Sequence, residues 1–389
     1  MMSIFDEGAN RCGTNCVKWD GREKLFGRAD AIPLWVADMD FQSPACVKQA
    51  LLDRVQHGVF GYPFDMTEAK QIVCDWELKR HGLKIGNDMV LLSPGVVDSL
   101  YFAVQLFSEK GDSVAIQPPV YGPFLRAIED TGRKPFFNPL KKIGGRWEMD
   151  LNRLEDGLKS GVKLLLLCSP HNPVGRIWTR DELTALSALC KRYGCRIVTD
   201  EIHADFELPG HKHVPMLNID PEAICFISST KTFNLAGLRC SSMLFGKKED
   251  RDAMEKFMTS VGIGEINIMG VLAQSTAYRE GEPWLDELLN YLDETRKTVE
   301  AEFSAKLPSV GVTHLEGTYL MWLDMTAFGM KQDKLMHFIV KEAGVALSDG
   351  INFCPHGEGF MRMNIATPRK NVVSAIENMS KAFGKITNI

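Results

Sequence analysis

Four short polar segments of this 389-residue chain carry side chains that could do chemistry together, and each is bordered by an apolar run. In the first, Ser228-Ser229-Thr230-Lys231 leads into Thr232-Phe233-Asn234-Leu235-Ala236-Gly237-Leu238-Arg239. A lysine just past a buried strand can form an imine with an aldehyde cofactor, while nearby hydroxyls and a guanidinium satisfy a phosphate. Most loop lysines are only solvated charges, but the Ser-x-x-Lys spacing with arginine eight residues on favours the imine. In the second, Val198-Thr199-Asp200-Glu201-Ile202-His203, a carboxylate ends an apolar strand. Asp200 could pair with a protonated pyridine nitrogen and keep that ring an electron acceptor; taken alone, it reads more simply as a helix N-cap.

In the third segment, Cys168-Ser169-Pro170-His171-Asn172-Pro173-Val174-Gly175-Arg176, two prolines present one amide that can donate to an anionic phenolic oxygen. A Pro-rich turn is commonly nothing more; its place directly after Leu164–Cys168 is what singles out Asn172. The fourth, Ser93-Pro94-Gly95-Val96-Val97-Asp98-Ser99-Leu100, is a glycine turn opening an apolar helical pattern. Free backbone N–H groups and the helix dipole there make an anion site.

The elements that must position these segments follow from the pattern of the chain. From about residue 45 to 285, apolar β-type runs (113–117, 163–168, 196–199, 223–228) alternate with amphipathic helical stretches such as 179–193. That alternation predicts an α/β fold on a mostly parallel sheet. Ligands of open α/β sheets bind beyond the carboxyl ends of the strands, where the polar segments fall. The expected division is a large domain over 45–285 and a smaller α+β domain from 1–44 and 286–389.

Composition narrows the function. With 45 Lys+Arg against 50 Asp+Glu, the net charge of −5 disfavours nucleic acid as a partner. No apolar run is long enough for a membrane span. The N-terminal MMSIFDEGANRCG shows no basic region leading into an apolar stretch, which points to a cytoplasmic location. Ten scattered cysteines read as reduced thiols without zinc-ligand spacing, so no metal is expected. The loop His211-Lys212-His213 reads as solvated.

Together, and in this order, the four segments resemble the fold-type I pyridoxal-phosphate (PLP) enzymes of the aspartate aminotransferase superfamily, across nearly the whole chain. The resemblance implies a large domain with a mostly parallel seven-stranded sheet and PLP as cofactor. It makes Lys231 the Schiff-base lysine, Asp200 the partner of the pyridine nitrogen and Asn172 the ligand of the phenolic oxygen. Gly95, Val96, Val97, Ser228 and Arg239 fall where the family binds phosphate. Tyr121 falls where a ring stacks on the cofactor, and Arg362 matches the arginine that binds the substrate α-carboxylate, with Asn172 and Asp38 beside it. Tyr62, in Gly61-Tyr62-Pro63, resembles the tyrosine that reaches a neighbouring subunit's phosphate, which implies a homodimer with shared active sites.

One position departs from the aminotransferase pattern: His203 stands where a tyrosine commonly bonds the phenolic oxygen. Asp-Glu-Ile-His-x-Asp, with Trp35-Val36-Ala37-Asp38-Met39-Asp40-Phe41 and the 169–176 turn, is similar to the MalY/PatB branch of cystathionine β-lyases and related carbon–sulfur lyases. That implies β-elimination from a sulfur-containing amino acid to thiol, pyruvate and ammonia, with Lys231 as base and Tyr62 and Tyr121 as candidate acids. An aminotransferase using the same residues, and a regulatory binding protein retaining the fold, are the alternatives.

Overall fold

Five consecutive apolar residues leave a strand no polar face, and such a run is stable only when both sides are covered. In the computed structural model, which describes residues 3–353, 355 and 357–385, Leu164–Cys168 is buried throughout and lies inside a seven-stranded sheet. The strands are β1 (Val90–Ser93), β2 (Ser113–Ile116), β3 (Lys134–Phe137), β4 (Leu164–Cys168), β5 (Arg196–Asp200), β6 (Ile224–Ile227) and β7 (Ser241–Phe245), in the order β1-β7-β6-β5-β4-β2-β3. Only β7 runs antiparallel to its neighbours. The mostly parallel α/β sheet expected from the alternation is therefore present.

Successive residues of β4 serve opposite layers. Leu164, Leu166 and Cys168 pack with Leu100 and Val104 of helix α1 (Val96–Phe107); Leu165 and Leu167 join the core with Leu183 and Leu186 of α2 (Arg180–Arg192). Thr179 and Glu182 close a reciprocal capping box at the start of α2, which fixes where that helix begins.

A second sheet is antiparallel, with order β8-β9-β11-β10, formed by β8 (Gly311–Val312), β9 (Leu320–Asp324), β10 (Ser348–Asp349) and β11 (Phe360–Asn364). The long helix α3 (Glu282–Lys306) buries Leu285, Leu288, Leu292, Val299 and Phe303 into the core at helical spacing. Near the N-terminus, Ile32–Pro33 pairs in parallel with Val345–Ala346. The chain then crosses as an irregular strap, residues 35–41, whose carbonyls are taken largely by side chains. Arg362 bonds Trp35 O, Asn364 bonds Val36 O and Asp38 O, and Asn234 bonds Met39 O and Phe41 O. Backbone groups left without a ladder must find partners elsewhere, and here they come from two distant parts of the chain.

The 211–213 loop corrects the sequence reading. His213 is buried and its Nε2 lies 3.1 Å from Glu201 Oε2, while the backbone N–H of Met216 donates to Glu201 Oε1. Glu201 follows the end of β5, so His213 closes over a buried carboxylate, while His211 is half-buried and Lys212 stays exposed. Among the described residues no helix is long and apolar enough to cross a membrane.

Candidate active site

The parallel strands β4, β5 and β6 and the antiparallel β7 place Asn172, Asp200, Lys231 and Arg239 at one edge of the sheet, as expected for an open α/β sheet. They line a pocket together with Ala37, Gly95, Val96, Val97, Tyr121, Cys168, His203 and Thr230.

Lys231 lies on the single turn Ser229–Thr232, begun by Ser228, whose hydroxyl accepts from the Thr230 N–H. Its half-buried Nζ donates to Ala37 O at 2.7 Å. Burial pushes the lysine down to about 8, with Asp38 opposing, Arg362 adding to the depression and Asp200 opposing. Asp200 is buried at the end of β5 and accepts the Ile202 N–H at 3.0 Å, but no cation pairs with it among the described residues. Burial raises it to about 7 against the pull of that hydrogen bond and of the Lys231 charge. An acid held this way suits a ligand that brings its own positive charge.

Arg362 rises from β11 into the same region. Nη1 donates to Asn172 Oδ1 at 3.1 Å, Nη2 to Trp35 O at 2.8 Å and Ser348 Oγ at 3.1 Å, and Nε is buried without a partner. Its guanidinium lies over the Phe353 ring, and burial lowers its pKa to about 10. A cation without a carboxylate among the described residues can receive one from a ligand. Accepting from Arg362 through Oδ1 leaves the Asn172 amide NH2 as a donor beside the pocket.

His203 is buried with Nδ1 unpartnered, and its pKa falls well below the usual range through burial and the charges of Lys231 and Arg362. A neutral imidazole therefore faces the pocket. The Tyr121 phenol is raised chiefly by burial.

At the other end, α1 starts behind Gly95, where a Cβ would come within 2.7 Å of Asp98 Oδ2. The first N–H groups of that twelve-residue helix, with Thr230 and Arg239, border one side of the pocket. Arg239 is exposed and its Nη2 meets Asp98 Oδ2 at 2.8 Å.

Ser228, Asp38 and Tyr62 do not line the pocket. The Ser228 hydroxyl donates to Cys240 O at 2.7 Å, and Thr230 presents the hydroxyl there instead. Asp38 is held by Arg11 at 2.6 Å, which takes up its carboxylate. Tyr62 is 94 % exposed and away from this chain's own pocket. Sequence reasoning also passed over Ala37, Ser348 and Tyr319, whose hydroxyl donates to the same Ala37 O at 3.0 Å. The EGTY segment holding Tyr319 carries no charge pattern that would have singled it out. Among the described residues no three His, Cys, Asp or Glu side chains converge on a metal position.

The same architecture is found in known proteins. The aminotransferase class I and II family matches residues 29–379. The cystathionine β-lyase PatB of Bacillus subtilis is 41 % identical over 92 % of this chain and 94 % of its own, and the Escherichia coli protein MalY 31 % over 98 % and 99 %. The crystal structure of cystalysin from Treponema denticola, which contains a pyridoxal 5′-phosphate cofactor, superposes with a TM-score of 0.95 at 31 % identity, covering 99 % of this chain and 100 % of that one. The chain belongs to the aminotransferase class I and II family and has the fold of the fold-type I PLP-dependent enzymes.

Proposed function

We propose that the protein is a PLP-dependent carbon–sulfur β-lyase that cleaves a sulfur-containing L-amino acid to a thiol, pyruvate and ammonia. The cofactor part of this reading is carried by the buried Asp200, which no cation pairs among the described residues, set in one pocket with a lysine of depressed basicity and close to Arg362; the likeness to PatB supports the lyase part. Such charges are costly unless a ligand completes them. PLP fits: its pyridine nitrogen brings the proton Asp200 lacks a partner for, and its phosphate suits the N–H groups behind Gly95. Pyridoxal phosphate, when bound, supplies an aldehyde that captures amines and a ring that accepts electrons from Cα.

The remaining work falls to the chain. Lys231 anchors the cofactor and, once released, carries the Cα proton on Nζ. Its basicity near neutral pH suits it to both taking up and giving back a proton. Arg362 holds the substrate α-carboxylate with its guanidinium, which Asn172 aligns. Thr230 and Arg239, with the backbone of Gly95, Val96 and Val97, hold the phosphate. His203 stays neutral and keeps positive charge away from the phenolic oxygen. The departing thiolate is protonated by Tyr121 or by Tyr62 of a second copy.

The dimer this implies is supported by the cluster Val59, Phe60, Tyr62 and Phe64, each more than half exposed. The two-domain division at residues 45–285, and a cytoplasmic location, belong to the same proposal. The test is incubation of the PLP-loaded protein with L-cystathionine and with L-cysteine, without keto acid. Pyruvate, ammonia and thiol released in step support the lyase. Turnover that appears only when a keto acid is added makes the protein an aminotransferase.

A further inference from the structure

A carbonyl oxygen has two lone pairs, and at Ala37 both are used by side chains that sit far away in sequence. Lys231 Nζ donates to it at 2.7 Å and the Tyr319 hydroxyl at 3.0 Å. Other strap carbonyls are held by side chains that stay put, such as Arg362, Asn364 and Asn234. Ala37 O is different, because one of its two donors is the amine that must leave in order to bond an aldehyde. Tyr319 is fully buried, so Ala37 O is where its hydroxyl is satisfied. Its ring is fixed edge-on against Phe206 at 4.8 Å and against His203 at 5.8 Å.

The segment behind Tyr319 is held firmly as well. Thr318 adopts a left-handed φ of 69°, and the N–H groups of Glu316 and Gly317 donate to Gly175 O at 2.9 and 3.0 Å. Glu316 also pairs with the fully buried Arg176 at 2.9 Å, four residues beyond Asn172. The phenol is thus anchored to the turn that carries Asn172.

We propose that Tyr319 is a positioning residue for Lys231: by sharing Ala37 O it loosens the resting contact of the free amine and keeps that oxygen in place when the amine is elsewhere. This rests on the assignment of Lys231 as the amine that bonds the cofactor and moves the Cα proton. With the phenol present, the oxygen's electron density is divided between two donors. Without it, the ammonium form of Lys231 is held more tightly and the neutral, reactive form becomes scarcer at a given pH. The other groups facing Lys231 are Asp38, Asp200, His203, Tyr121 and Arg362, and the substitution that tests the proposal alters none of them.

Tyr319→Phe keeps the ring and removes the hydroxyl. The first readout uses no amino acid: apoprotein is mixed with PLP and the growth of visible absorbance is timed across pH, since capture needs the neutral amine. The midpoint of that profile moves up by about half to one pH unit, and capture near neutral pH slows roughly fivefold, as expected for one redistributed hydrogen bond. In the loaded enzyme kcat falls by a similar factor, its acid limb moves the same way, and KM stays within about twofold. Phe206→Leu is the packing control: it loosens the same ring cluster but keeps the hydroxyl, and it leaves both pH profiles in place. Coincident capture profiles for Tyr319→Phe and the parent overturn the proposal. So does a shift in Phe206→Leu equal to that in Tyr319→Phe, which would make the effect one of packing. Absence of thiol release from cystathionine would count against the lyase reading alone, because the capture arm decides on Tyr319 without it.

Discussion

Two buried aspartates within the same molecule are treated in opposite ways. Asp40, on the strap, accepts from Lys18 at 3.0 Å, Arg11 at 2.9 Å and the Trp19 indole at 2.8 Å. Burial by itself raises its carboxyl, but Lys18, Trp19 and Arg11 together outweigh that and hold it below the ordinary range. Asp200 is buried almost as deeply, accepts one backbone N–H and is raised to about 7. Completed charges hold the strap in place; incomplete ones face the pocket and wait for a ligand. The contrast extends to the arginines, since Arg176 is fully buried but paired with Glu316 and Glu182, whereas Arg362, among the described residues, donates to neutral acceptors.

The sharpest way to break the comparison is to remove the pocket's lysine. Lys231→Ala should lower turnover by at least about a thousandfold with the circular dichroism spectrum unchanged, and retained turnover would sink the functional reading. Arg362→Leu comes next. Removing a desolvated cation from its anionic substrate is expected to cost on the order of a hundredfold in kcat/KM, measured by steady-state kinetics.

The aspartates then give opposite signs in denaturant melts of the apoprotein. Asp40→Asn breaks a completed cluster and should destabilise by about 3 kcal/mol. Asp200→Asn should stabilise by on the order of 2 kcal/mol at pH 8 while abolishing turnover. The pH dependence follows from the shifts. With its folded value raised, Asp200 weakens the apoprotein increasingly as pH rises from about 4 to about 7, so the advantage of asparagine fades on acidification. With its folded value depressed, Asp40 stabilises above the ordinary carboxylate range, and that contribution is lost as pH falls through the folded value. Equal signs for both substitutions at pH 8 would show that pairing does not separate the two sites. The smallest effect belongs to the exposed Asp98–Arg239 pair: Asp98→Asn should move apoprotein stability by no more than about 0.5 kcal/mol in the same melts.

Much of this was readable from the chain because the chemistry sits at strand ends. Asp200, Asn172 and Lys231 each follow an apolar run, and a polar side chain there has few other reasons to be buried. The amphipathic stretch from 179 likewise became a helix, which begins at the Thr179–Glu182 capping box. What could not be read were contacts made by backbone or by distant partners. Ala37 O has no side-chain signature, and its donors lie 194 and 282 residues away. Asp38 sits in a motif that suggests substrate binding, yet Arg11 closes on it from 27 residues upstream. Ser228 and Thr230 are two hydroxyls two residues apart, and only the turn geometry decides which one faces the pocket. His213 looked solvated because it sits in a loop flanked by glycine and proline; its partner Glu201 is supplied by the end of β5.

The side-chain hold on the strap also sets an order of assembly. Residues 35–41 cannot settle until Asn234, beyond β6, and Arg362 and Asn364, on β11, have reached their places, and contacts so distant along a chain form late. The helix start behind Gly95, through Ser93 and Ser241, and the turn carrying Lys231, through Ser228 and Cys240, are tied over 148 and 12 residues. A refolding chain should therefore recover cofactor absorbance before it recovers turnover, passing through a form that has taken up PLP and does not yet grip an amino acid.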